Sequence, residues 1–115
     1  MTALNAQAPL PALIWSEGLS QACFDHVLEQ GPIGTTGHNS PDGTTFDARI
    51  LRYVTNSGIV GENIAYNNVD TGDQMISQLL IDDGVSGRGH RLNIMNTDYT
   101  HVGISCGCHT TYGEM

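Results

Sequence analysis

The stretch from Asp82 to Asn96, Asp-Asp-Gly-Val-Ser-Gly-Arg-Gly-His-Arg-Leu-Asn-Ile-Met-Asn, divides the chain into two kinds of pattern. Upstream of it, residues follow helical spacings broken by polar loops. Downstream, they alternate as a strand does. The stretch holds two adjacent acids, three glycines, two of the four basic residues and a histidine. A histidine in such a turn is well placed to join groups delivered from elsewhere, and His38 and Glu62 are the candidates upstream.

The helical part begins at Ser16, a plausible N-cap, with Glu17 in the first turn. Leu19, Ala22, Cys23, His26 and Val27 recur as one buried helical face, and Gly31-Pro32 stops it. His26 lies on that apolar face and reads as a packed histidine. Residues 1–14, with Pro9 and Pro11, read as an extended arm. Gly31 to Gly43 is a polar loop long enough to suggest a function. Thr44 to Asp47 resembles a capping box with Asp in place of Glu. Phe46, Ile50 and Val54 then give a second helical face, and Arg49 and Arg52 off its centre read as solvated or surface-paired. Asn56-Ser57-Gly58 reads as a turn, and Ile59 to Tyr66 as a short β-compatible run with Glu62 in its middle. Asp70 or Thr71 caps a third helix, with Met75, Ile76, Leu79 and Leu80 as its buried face and Gly84 as its end. Asp82 and Asp83 then oppose the helix dipole. That makes them either site members or partners of Arg88 and Arg91.

After the turn, Thr100, Val102, Ile104 and Cys106 fall on one face of a strand, and Tyr99, His101, Gly103 and Ser105 on the other. Gly107 to Thr111 suits a hairpin whose return begins at Tyr112. At 115 residues, with no repeat or linker, the chain reads as one domain. Its net charge of −8, without a single lysine, excludes a nucleic-acid partner and disfavours an anionic membrane surface. No apolar run is long enough to span a membrane, and the N-terminus carries no signal-peptide pattern. Cys106 and Cys108 point the same way on a strand, too far apart to bridge without distortion. Cys23 could pair with one of them, or all three could be free thiols, so the disulfide pattern is open.

Three ionisable groups each follow a glycine: Gly37-His38, Gly61-Glu62 and Gly89-His90. With an acid from Asp82 or Asp83 they make a set suited to Zn²⁺ or to proton transfer. Other chemistries fail on spacing. Gly84-Val85-Ser86 begins a nucleophile elbow that Arg88 breaks. Gly87-Arg88-Gly89 begins a dinucleotide fingerprint that Leu92 breaks. There is no phosphate-binding loop. Ser40 near His38 has no third group to orient it.

At these same residues the chain resembles a family. Gly37-His38 with Asp42-Gly43, Gly61-Glu62-Asn63-Ile64-Ala65, Gly89-His90-Arg91 with Asn93-Ile94, and Val102-Gly103-Ile104 together resemble the CAP superfamily. This is the group of cysteine-rich secretory, antigen 5 and pathogenesis-related 1 proteins that share the SCP domain, and its microbial branch is the most similar. Leu13-Ile14-Trp15-Ser16 with Leu19 and Ala22 resembles the family's opening. The resemblance runs over nearly the whole chain. It implies an α+β fold: a three-layer α–β–α sandwich with a small antiparallel sheet between helices. It implies a cleft where His38, Glu62 and His90 meet, binding a divalent metal such as Zn²⁺ in some members. Other members bind a lipid elsewhere on the domain, and most are secreted, so an extracellular setting is expected. The family's second cleft acid has no clear match, leaving Asp82 and Asp83 as candidates. Its last strand would follow Met115. The resemblance carries no single reaction. It favours non-catalytic binding of a metal and a small or lipid ligand. A metal-dependent hydrolase with Glu62 as general base is the alternative. A further alternative is a structural polar cluster pinning the 31–43 loop.

Overall fold

The computed structural model describes residues 2–55 and 58–115, so the turn expected at Asn56-Ser57 lies outside the described residues. The fold is α+β. Its elements in order are α1 (Thr2–Asn5), β1 (Ile14–Trp15), α2 (Glu17–Gln30), α3 (Phe46–Ile50), α4 (Gly72–Ile81), a 3₁₀ turn (Ser86–Arg88), α5 (Gly89–Ile94), β2 (His101–Val102), β3 (Cys108–His109) and β4 (Gly113–Glu114). The expected extended arm therefore contains one helical turn, closed by Gln7 N–H donating to the Leu4 carbonyl.

Helix α2 is the spine, and its start matches its sequence. The Ser16 hydroxyl accepts from the Leu19 N–H, and Ala22, His26 and Val27 are buried as their spacing demands. Its end differs in cause. Gly31 keeps right-handed helical angles, so it is not a left-handed cap. A side chain there would instead meet the Cys108 carbonyl at 2.3 Å.

Of the strand expected over residues 99–108, only His101–Val102 (β2) and Cys108, at the start of β3, are strand; the segment 103–107 that connects them packs on α2 through its glycines and not through its apolar residues. A Cβ on Gly103 would lie 2.3 Å from the Ser20 backbone nitrogen, and one on Gly107 would lie 2.3 Å from Val27 Cγ1. Ser105 Oγ donates to the Ser20 carbonyl and His109 is buried, while Ile104 stays 45% exposed and Cys106 faces out. Alternation supplied two faces, and close approach chose the one without bulk. The strands form two separate two-stranded sheets, not one antiparallel sheet. β1 and β2 pair in parallel, Ile14 opposite His101, whereas β3 and β4 form the expected antiparallel hairpin.

The rest departs from expectation in local ways. Helix α3 is five residues long, is capped at Thr45 without a side-chain bond, and stops before Val54. Residues 59–66 form no strand. Gly61, Glu62 and Asn63 turn their contacts to helices, and only Asn67 bridges to Glu114. Thr71 caps α4 by accepting from Gln74 N–H, but no residue of α4 is buried: Met75, Leu79 and Leu80 are half-covered and Ile76 is exposed. The helix ends at Ile81, not at Gly84, because Asp82 turns left-handed at φ 54°. All three cysteines are free thiols, Cys23 donating to the Gly103 carbonyl at 3.6 Å.

Candidate functional site

His38 sits on the long loop, and the loop is held by backbone contacts on both sides of it. Gly37 adopts φ +113°, a conformation that favours glycine. Its carbonyl accepts from the buried His26 ring at 2.8 Å and from Gln30 at 2.9 Å, and its N–H donates to the Tyr66 hydroxyl. His26 is thus packed as expected, and it also anchors the loop. The equally buried His109 ring reaches the Thr35 carbonyl at 2.8 Å, a second anchor that sequence gave no reason to single out.

Beyond His38, the loop is held by Arg49. This residue is fully buried, contrary to the solvated reading. Its guanidinium donates to the His38 carbonyl at 3.1 Å, to the Ser40 hydroxyl at 3.4 Å and to Glu62 Oε2. Glu62 Oε1 in turn accepts from His38 Nδ1 at 2.9 Å. A carboxylate only accepts, so His38 Nδ1 is the donor of this bond, and Nε2 is the ring nitrogen left for another partner. The glycine before Glu62 serves proximity. A Cβ on Gly61 would collide with the Asn93 side chain and the Tyr99 hydroxyl at 2.4 Å.

His90 has a carboxylate of its own. Asp82 is buried at the end of α4, where an acid should oppose the dipole. Its side chain, however, lies at the start of α5. It accepts from His90 N–H at 3.0 Å, from Arg91 N–H at 3.3 Å and from His90 Nδ1 at 2.8 Å. It therefore acts as a non-local N-cap for α5, and the dipole of that helix favours it. Burial works to raise the Asp82 carboxyl. The bond from the His90 ring and the N–H groups of Arg91 and His90 outweigh it, holding the group below the usual carboxylate range. The α4 carbonyls left open are taken by arginines: Arg91 donates to Leu80 O and Ile81 O, and Arg88 to Asp82 O. Arg91 therefore pairs with backbone and not with an aspartate. Asp83 is the outlier, 91% exposed and 3.6 Å from Arg88, away from the cleft. Asp82 and Arg88 are the two non-glycine residues with positive φ among those described, and they frame the turn that presents His90.

Asn63 and Asn93 join the two halves. Asn63 donates to the His90 carbonyl at 3.1 Å and accepts from Asn93 at 2.9 Å. One open cleft results, lined by His38, Glu62 and His90 with Phe46, Val60 and Leu92 as apolar walls. Each imidazole has its Nδ1 on a carboxylate, and neither Nε2 has a hydrogen-bond partner among the described residues. Also among the described residues, no three His, Cys, Asp or Glu side chains gather as ligands of one ion would. Sequence reasoning missed Arg49 and the Asn63–Asn93 clamp. The signal for the first was that a chain with only four basic residues places two of them, Arg49 and Arg52, between the His38 loop and Glu62. The signal for the second was the asparagine in each of the two histidine and glutamate motifs.

The family model described as "Cysteine-rich secretory protein family" (CAP) matches residues 3–114. The "Uncharacterized membrane protein YlbC" of Bacillus subtilis (strain 168) is 27% identical over 95 residues, 83% of this chain and 26% of that protein. A crystal structure of an extracellular protein containing a SCP domain from Bacillus anthracis str. Ames is similar with a TM-score of 0.72 at 25% identity, over 98% of this chain and 34% of that one. The chain thus spans about a quarter of the first relative and about a third of the second.

Proposed function

This chain belongs to the CAP, or cysteine-rich secretory protein, family, and on that premise we propose that its cleft is a non-catalytic binding site built on the imidazoles of His38 and His90. The ligand is a divalent metal ion such as Zn²⁺, together with a small or lipid-like molecule against the apolar walls. The observation that carries this reading is the repeated pairing of an imidazole Nδ1 with a carboxylate, His38 with Glu62 and His90 with Asp82, in one cleft. A carboxylate behind a histidine fixes the ring and its tautomer and makes Nε2 a better donor to a metal.

The donor chemistry fits such an ion in part. Two imidazoles would hold it, and Glu62, with one oxygen on His38 and one on Arg49, orients a ring instead of supplying a third ligand. Two protein donors suit a weak, open site completed by water or ligand, not the closed four-ligand shell of a structural zinc. A bound ion would act there as a Lewis acid toward an oxygen of the ligand. Both oxygens of Glu62 are engaged, so no observation favours it as a general base. We place the domain in an extracellular setting, in keeping with the extracellular SCP protein it resembles. A domain displayed outside a membrane would also suit the relative named as a membrane protein.

Calorimetric titration of Zn²⁺ tests the proposal. The parent chain should bind one ion, and His38→Ala and His90→Ala should each weaken binding at least about tenfold, the loss of roughly 1.4 kcal/mol. Unchanged binding in both variants would sink it.

A further inference from the structure

The geometry points to a second ligand site, separate from the cleft: Cys106 and Cys108 form a two-thiolate clamp for a thiophilic monovalent cation, Cu(I) or Ag(I). Gly107 between them is locked in place. Its N–H donates to the Met115 carbonyl at 3.0 Å and its carbonyl accepts from Met115 N–H at 2.9 Å, extending the β3–β4 ladder by one pair. The side of Gly107 where a Cβ would stand faces Val27 of α2. The flanking residues therefore project from the opposite side, and both Cys106 and Cys108 are exposed free thiols.

Alternate residues of a strand lie about 6.5–7 Å apart at Cα, at or beyond the upper edge of about 6.8 Å for a disulfide. Closing an S–S bond would have to buckle Gly107, which two ladder bonds and the contact with α2 oppose. A metal ion bridges the gap without moving the backbone. With thiolate–metal bonds of about 2.3 Å, two sulfurs in line on one ion stand about 4.6 Å apart, which rotation of two exposed side chains can reach. Thiolate is also the donor that selects soft ions over the harder divalent ions suited to imidazole and oxygen. On binding, two thiols release two protons to solvent and two S–metal bonds form, while the metal and sulfur keep their oxidation states. Cys23 is not part of the clamp, because its thiol is turned to the Gly103 carbonyl.

The test is an anaerobic titration of the full chain, reduced beforehand and freed of reductant, with Cu(I) against a chromophoric competitor. The expected result is one ion per chain, with Cys106→Ser and Cys108→Ser each losing at least about 100-fold in affinity, since chelation by two linked donors gains about 10²–10⁴. Cys23→Ser should bind as the parent does. Single-thiol variants that stay within tenfold of the parent, a stoichiometry of two, or an equal loss in Cys23→Ser would each overturn the clamp. The exposed positions make folding defects in the two serine variants easy to exclude by their unchanged melting.

Discussion

Arg49 and Asp82 carry the site at the level of single residues, each by placing a charge where a simple rule forbids it. Arg49 is a buried cation whose partners, Glu62 and the His38 carbonyl, define one half of the cleft. Removing one member of a buried pair strands the other charge. Arg49→Met should therefore destabilise by about 3–5 kcal/mol, read by urea unfolding. Adding Glu62→Gln to it should restore part of the loss, since the stranded carboxylate is then gone; a double variant no more stable than Arg49→Met would contradict the pairing. Asp82 makes a prediction about pH. Its carboxyl is held below the ordinary range in the folded chain, so the folded state binds fewer protons there than the unfolded state. The stability it contributes is present above its unfolded value and is lost as pH falls through the folded one. Asp82→Asn should flatten the acid limb of the stability curve, measured by melting between neutral and acid pH. An unchanged acid limb would mean that Asp82 does not stabilise the folded chain through its carboxylate.

Elements in this fold meet through glycine and asparagine more than through apolar side chains. The segment joining β2 to β3 lies against α2 because Gly103 and Gly107 have no Cβ to hold it off. A methyl at Gly103 would press on backbone, which cannot rotate away, so Gly103→Ala should cost about 1–3 kcal/mol or more, as overpacking does. Gly89→Ala is the control, because nothing lies within 4 Å of its Cβ and its angles are helical. Its melting point should hold or rise. The Glu62 segment and α5 are coupled by Asn63 and Asn93. A double-mutant cycle on these two should return a coupling of about 0.5–1.5 kcal/mol, the range of a net hydrogen bond. Additive losses would mean that the two motifs are held together by something else.

Across the whole molecule, the residues of the cleft were legible and their wiring was not. His38, Glu62 and His90 stand out because each follows a glycine, yet the three glycines differ in purpose: Gly37 for its backbone angle, Gly61 for its closeness to Asn93, Gly89 for neither. Asp82 looked misplaced because a linear reading assigns it to the end of α4. Its side chain belongs to the start of α5, a relation that exists only once the turn at 82–88 folds back. Arg49 read as solvated because charge ordinarily is, and only its neighbours in space supply the reason for burying it. The alternation after residue 99 marked a strand of which only His101–Val102 and Cys108 form, and between them it reversed the packing side, since periodicity measures hydrophobicity and not the space α2 leaves. In the proposed site two imidazoles are held by carboxylates, and their Nε2 atoms serve one shared ligand. Nitrogen-resolved NMR of the histidine rings tests it most directly, at a pH where the rings are neutral and with Zn²⁺ added stepwise. His38 and His90 should both carry their proton on Nδ1, and zinc should move the Nε2 signals of these two rings together while His26 and His109 stay put. Protonation on Nε2 in either cleft ring, or a zinc response confined to one of them, would contradict it.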